Sequence, residues 1–581
     1  MMKKINIFLG LFMMTLTAVA QETGLPGWYK KVQKSIMNIV AYDENQEMIH
    51  EGVGFVVSTD GMLISNYNLF KDAYSAVAID SKGKKYEVER IHGADNIYGI
   101  VRFSINAEKT TPVKIASATS VNRGAEAISI GLFKSKPNVV PAWTVEKKDL
   151  IDSQYGYYTL SGAFDKSQEG LGAFTSSGEL IGIIQSAVSN KSGVIDASMA
   201  LSLSMAAIQS RNAALSLNSI HIKKALPDTA EESLVYLFFR STTADDAEYM
   251  DLCDQHVQKF PDNAEGYFKR ATPLIDLHRF DEADQCLEKY ISLAADKPVA
   301  YSNTSQIIYS KLLFQPEPKY DKWSFDTSLE LIDKAIDGMS AQISAETDEE
   351  KRIPLEKQQN EYIIQKAKIL SAKGDHRSAI ALYDGINQTR FRGPSIFMAS
   401  SLEHGAAGDS LDVQIALIDS ALAQFPTPLP ADAAPYVLQR ARLYEASQLY
   451  KQAVADFNTF LYLKNNKVNH SFYYDRSLLE TNARMYQQAI DDINMAISLA
   501  PDNASYYLEK SSICLRVSQI DESIEAARKC ISLAPEVPDA YRMLGYALVQ
   551  KGDKAEALRN LEKAKQLGDP NAQDIIDRYL K

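Results

Sequence analysis

In the first third of the chain the residues that could carry out acyl transfer are few. Nucleophilic hydrolysis needs a hydroxyl or thiol, a base to take its proton and an acid to orient the base. Between residues 21 and 216 the histidines are His50 and His92, and Ser161 and Ser167 stand upstream of Glu169. The run Gln168-Glu169-Gly170-Leu171-Gly172-Ala173-Phe174 contains no serine. Glu169 has the chemistry of a nucleophile or a base, but nothing beside it in sequence would stabilise an electrophile. Cys253, Cys286, Cys514 and Cys530 all fall in helical patterns without metal-ligand spacing. They read as buried free thiols, with a Cys514–Cys530 bridge as the alternative. No glycine-rich phosphate loop, zinc-ligand pair or calcium loop occurs, so no cofactor and no metal are expected.

These residues must be positioned by a chain too long for one core. It has 581 residues, 45% of them hydrophobic and 23% charged, with a formal net charge of −12. Two or more globular domains are expected. An acidic total argues against a broad nucleic-acid surface, since phosphate binding needs a basic field. Lys3 and Lys4 precede an apolar run from Ile5 to Thr17, and Ala18-Val19-Ala20 then offers a small-residue cleavage site. Residues 1–20 therefore read as a signal peptide, and the protein as exported to the periplasm, the cell surface or the medium of a bacterium. No later segment reads as a transmembrane anchor.

Residues from about Trp28 to Ile208 alternate on a short period, within a first domain placed at residues 21–216. Leu63-Ile64, Ala76-Val77-Ala78-Ile79, Ile100-Val101, Ala127-Ile128-Ser129-Ile130 and Leu180-Ile181-Gly182-Ile183 read as strands between turns. Met199 to Ala213 reads as one closing helix, and residues 217–227 as a linker. From residue 228 to 581 the period becomes that of amphipathic helices. Tyr473, Tyr507 and Tyr541 are 34 residues apart, as are Ala489, Ser523 and Ala557. Ile497-Ser498-Leu499-Ala500-Pro501-Asp502 recurs as Ile531-Ser532-Leu533-Ala534-Pro535-Glu536. Small residues let two helices approach, and proline stops the second. This is the tetratricopeptide (TPR) signature, and about eight units are expected. Residues 314–324 and 344–352 read as loops inserted into one stretched unit.

The first part resembles the HtrA/Deg branch of trypsin-fold serine proteases over roughly residues 28–212. Three motifs carry the likeness. Gly52-Val53-Gly54-Phe55-Val56-Val57-Ser58-Thr59-Asp60-Gly61-Met62-Leu63-Ile64-Ser65-Asn66-Tyr67-Asn68 matches the family's first motif, with Asn68 at the histidine place. In Asp95-Asn96-Ile97-Tyr98-Gly99-Ile100-Val101, Gly99 falls where the triad aspartate would be. Counting back from Gly178-Glu179-Leu180-Ile181-Gly182-Ile183 puts Glu169 at the nucleophile place. The resemblance implies a double β-barrel of trypsin type followed by an all-α TPR solenoid. The triad losses imply a non-catalytic protein–protein interaction scaffold. A hydrolase with a rewired site is the alternative. For the TPR part the resemblance implies a concave face that takes protein or peptide partners, and Arg442, Tyr474, Leu508, Arg542 and Tyr546 fall on it.

Overall fold

The computed structural model describes residues 25–133, 136–186, 190–205 and 211–580. The proposed signal peptide lies outside the described residues. The chain divides into two compact units, one ending at Ala294 and the other beginning at Ala295.

The first unit holds two closed antiparallel barrels. One is built from β1 (Ile36–Tyr42), β2 (Met48–Val56), β3 (Met62–Asn66), β4 (Ser75–Ile79), β5 (Lys85–Asp95) and β6 (Ile100–Ile105). The other uses β7 (Glu126–Phe133), β8 (Lys136–Ile151), β9 (Tyr155–Ala163), β10 (Gly172–Phe174), β11 (Leu180–Ser186) and β12 (Lys191–Asp196). Their windings are the same. The first barrel runs β1-β2-β3-β6-β5-β4, and the second runs β7-β8-β9-β12-β11-β10. Closure removes exposed sheet edges, so each barrel needs only an apolar interior and polar turns. Gly182 marks how tightly β11 and β12 approach, since a Cβ there would lie 1.6 Å from the Ile195 carbonyl oxygen. Phe55 of the first barrel stands edge-on to Phe174 of the second at 6.0 Å, so the two barrels share apolar packing.

The closing helix expected from Met199 to Ala213 is interrupted. A helix spans Ala197–Ser202, and the backbone turns extended at Leu203. The Arg102 guanidinium takes the Leu201 carbonyl at 2.6 Å, an acceptor that a longer helix would use for its own ladder. A second helix spans Arg211–Asn218. Ile220, Ile222 and Leu226 of the 217–227 stretch are buried in the first barrel's core. That core continues into Tyr236 and Leu237 of the helix Ala230–Arg240 and Leu252 and Cys253 of the helix Asp246–Lys259. Ala264–Asp276 and Phe280–Leu293 form the last helix pair of this unit.

The second unit is helical. Its successive pairs are Lys297–Phe314 with Phe325–Ala345, Glu349–Lys373 with His376–Asn387, and Pro394–Ala406 with Leu411–Leu422. Ala434–Ala446 with Tyr450–Leu463, His470–Asn482 with Tyr486–Leu499, Ala504–Arg516 with Ile520–Leu533, and Pro538–Lys551 with Lys554–Gln566 complete them. Ala572–Tyr579 closes the array. Ala441, Ala453, Ala489 and Ala557 have no exposed surface, as the close helix crossings require. Where serine stands in both partners, Ser511 and Ser523 bond at 2.8 Å and satisfy their hydroxyls inside the crossing. All four cysteines are buried and free.

The loop between Phe314 and Ser324 is real and ordered: Lys311 Nζ donates to the Pro316 and Pro318 carbonyls, at 3.2 and 2.6 Å, and Trp323 is buried. The loop expected over 344–352 shrinks to residues 346–348. One helix runs to Ala345 and the next starts at Glu349. Asp348 caps the second helix by accepting from the Glu350 amide, and Glu349 and Glu350 favour its positive end. The charge run is a helix start.

Charged pairs sixteen residues apart tie the two helices of a repeat together. Arg440 grips Asp456 through two bonds of 2.8 Å, and Arg476 grips Asp492 at 2.5 and 2.7 Å. Both carboxylates are buried. Glu480 joins the second pair, 3.9 Å from the Arg476 Nε, and its Oε2 has no hydrogen-bond partner. Burial, then the Asp492 charge, push the Glu480 carboxyl up to about 8, against the pull of Arg476. The folded chain therefore binds this proton more tightly than the unfolded chain. The stabilisation is complete below the ordinary value of 4.5 and fades as pH rises towards about 8. Thermal unfolding of the wild type and Glu480→Gln across that window checks this. The variant should gain on the wild type as pH rises. A gap independent of pH would contradict the assignment.

Candidate functional site

Asn66 ends β3 buried, and its side-chain oxygen accepts the Asn68 amide at 2.8 Å. A 3-10 turn over Tyr67–Leu69 follows, pinned by a bond from the Tyr67 amide to the Gly99 carbonyl at 2.9 Å. This turn presents the exposed Asn68 side chain towards the second barrel. There Asn68 Nδ2 donates to Glu169 Oε1 at 2.8 Å. The first and third motifs thus meet at two of the three positions aligned with the triad.

The third position, Gly99, lies beside them without a side chain. Its φ of +64° is left-handed. A Cβ there would stand 2.9 Å from Gln185 Oε1 and 3.9 Å from Asn66 Nδ2. Asp95 is engaged elsewhere, accepting the Ile97 and Tyr98 amides at 2.8 and 2.9 Å.

Glu169 follows a capped turn. Asp165 accepts the Ser167 amide through its side chain at 2.8 Å and the Gln168 amide through its carbonyl at 2.9 Å. The Glu169 amide bonds the Lys166 carbonyl at 3.2 Å. An oxyanion hole needs backbone N–H groups beside the nucleophile that are free to face a developing charge. The amides of Ser167, Gln168 and Glu169 are all committed inside the turn. Asn68 can donate to the carboxylate but cannot take and return a proton near neutral pH. The arrangement holds a carboxylate; it does not assemble a proton relay.

The other candidates are placed apart from this pair. Ser161 accepts the Thr144 amide at 3.0 Å, and Ser167 donates to Asp165 at 2.5 Å. His50 lies exposed on β2. His92 lies on β5, pushed down to about 4 by burial and by Arg102, and its Nε2 has no hydrogen-bond partner. It is neutral at ordinary pH.

Of the residues read as lining the helical array's face, Arg442 is exposed and lines a cleft of about 860 Å³ with Asp475. Tyr474 packs against Tyr506 at 4.9 Å, and the Tyr506 hydroxyl bonds His470 Nδ1 at 2.6 Å. Arg542 and Tyr546 are engaged by the end of the chain instead. Arg542 pairs with Asp539 and, at 2.7 Å, with the buried Asp569, while Tyr546 meets Tyr579 of the closing helix at 5.9 Å. Sequence reasoning missed Asp475, Lys464 and Lys467 at the cleft. The signal was available in a repeat of changed length: Arg440 and Arg476 are 36 residues apart, not 34.

The left-handed backbone at Gly99 has a measurable cost. Gly99→Val should destabilise the chain by about 1–2 kcal/mol, and Gly99→Asn by less, because asparagine visits this region more readily. Thermal unfolding with the two variants side by side checks the order. A neutral Gly99→Val would contradict the conformation.

Residues 504–537 and 538–567 match the tetratricopeptide repeat family model. Anti-sigma-I factor RsgI9 of Acetivibrio thermocellus is 28% identical over 159 residues, 27% of this chain and 22% of that protein. Small glutamine-rich tetratricopeptide repeat-containing protein 2 of Saccharomyces cerevisiae is 29% identical over 93 residues, 16% of this chain and 27% of that protein. The chain thus spans about a quarter of the length of these curated relatives. Among solved structures, an HtrA-type protease AlgW with tripeptide shares 15% identity at a TM-score of 0.27, over 31% of this chain and 62% of that one. The helix pairs Ala504–Leu533 and Pro538–Gln566 are tetratricopeptide repeats.

Proposed function

We propose that this chain is an exported, non-catalytic scaffold for protein–protein recognition. In this reading a trypsin-fold pseudoprotease part is joined to a TPR array that holds protein or peptide partners. The observation that carries it is the bond between Asn68 and Glu169, an amide and a carboxylate standing where the family's base and nucleophile would be. Gly99 supports the same reading, since its left-handed backbone departs from what an orienting aspartate would favour. The committed amides of 167–169 leave no evident pair of donors for an oxyanion. The tetratricopeptide repeats at 504–567 support recognition as the working activity. The basic and apolar run of residues 1–20 supports export.

The test is to assay residues 21–581 with casein and with a fluorophosphonate probe. No turnover and no labelled serine are expected. The combined variant Asn68→His, Gly99→Asp, Glu169→Ser should also stay inactive, because backbone as well as side chains departs from a triad. Casein turnover by the wild type, or a single labelled serine, would sink the proposal.

A further inference from the structure

The cleft at Arg442 has one built feature that the repeats after it lack. The two repeats that follow are joined by four-residue links, 500–503 after Leu499 and 534–537 after Leu533. The link after Leu463 is 464–469, two residues longer. Asn465 and Asn466 hold it in left-handed turns, with φ of 51° and 59°. Three backbone bonds fix its shape: Asn465 to Tyr462 at 2.9 Å, Asn466 to Leu461 at 3.0 Å and Lys467 to Lys464 at 2.9 Å. The insertion is therefore an ordered rim, and it brings Lys464 and Lys467 to the edge of the cleft.

The floor is apolar. Leu438 and Phe460 are half-buried there, and Phe472 supports Phe460 with its ring stacked at 5.7 Å. Burial raises the Asp475 carboxyl, and Arg442 nearby offsets part of that rise. Glu445 also lines the cleft, so the cations Arg442, Lys464 and Lys467 face the carboxylates Glu445 and Asp475, and the lining keeps a net positive charge. Lys464 and Lys467 are exposed, and among the described residues neither forms an ion pair. The Lys464 Nζ stands 5.7 Å from the centre of the Phe460 ring. An apolar floor with a net positive lining and two ammonium groups outside any ion pair is complementary to a large apolar side chain with carboxylates beside it.

We propose that this cleft binds an acidic peptide segment, seating one aromatic or large aliphatic side chain on Phe460 and Leu438 and pairing adjacent carboxylates with Lys464 and Lys467. The proposal rests on the reading of the helical array as the recognition part and adds the partner's chemistry and its place. The partner's acidic side chains supply specificity and rate of encounter, and its apolar anchor supplies affinity.

A displayed library of random peptides about twelve residues long, panned against residues 21–581, tests it. Enriched sequences should pair a large apolar residue with neighbouring Asp or Glu. Synthetic copies should bind the variant Lys464→Glu, Lys467→Glu at least about tenfold more weakly, and their affinity should fall with added salt. Both lysines are exposed, so the variant should unfold at the wild-type temperature. Lys464→Gln, Lys467→Gln, which adds no repulsion, should give an intermediate loss. Enriched peptides that are basic or neutral, or acidic ones that ignore the lysines, would overturn this proposal and leave the scaffold reading standing. Failure to enrich any peptide would count against both.

Discussion

The amide of Asn68 and the carboxylate of Glu169 meet where the two barrels face each other, and what the first unit can do follows from that contact. Each side is held by its own backbone. Asn66 and Gly99 fix the turn that carries Asn68, and the Asp165 cap fixes the turn that leads to Glu169. Neither turn depends on a catalytic proton. A hydrogen bond to a charged group contributes about 1.5–3 kcal/mol when shielded, and less at an exposed site such as this one. The bond is thus a modest tie, but it commits both side chains to each other. A triad works in the opposite way, keeping its base open to a hydroxyl and its amides open to a developing oxyanion.

The helical array is governed by a different constraint, the closeness of its helix crossings. Alanine or serine at the crossing allows the approach, and long side chains then fill the spaces between pairs. Charged pairs such as Arg476–Asp492 sit within this packing. Burying both partners offsets most of their attraction, so each pair adds little net stability. Glu480 beside that pair shows the tension directly: a third ionisable group is sealed in, and burial and Asp492 raise its carboxyl against the pull of Arg476 at 3.9 Å. Where a link is two residues longer, at 464–469, the same packing leaves a cleft with a basic rim.

Much of this was legible in the sequence because it is periodic or punctuated. Strand runs such as Leu63-Ile64 and Leu180-Ile181-Gly182-Ile183 alternate between turns, and they lie in β3 and β11. Ala489, Ser523 and Ala557 recur at one spacing because each fills the same crossing. The count back from Gly178 led to Glu169, the residue that the fold sets against Asn68. What escaped depends on partners distant in sequence. The break at Leu203 answers to Arg102 on another strand, and no local signal announces it. The 344–352 run looked like a loop because its charges are dense, yet those charges cap and start a helix. Arg542 and Tyr546 sit at groove positions of the repeat, but Asp569 takes the first and Tyr579 of the closing helix packs on the second. The lysine rim was hidden in a shift from 34 to 36 residues, which alters the link and not the helices.

The central claim is recognition without hydrolysis, and one measurement addresses both halves. A peptide that binds residues 21–581 can be held in the complex through a prolonged incubation, then recovered and weighed by mass spectrometry. The account predicts a single species at the mass of the intact peptide, in amounts that match the binding sites. Fragments that accumulate with time, and that disappear with Glu169→Gln, would contradict it.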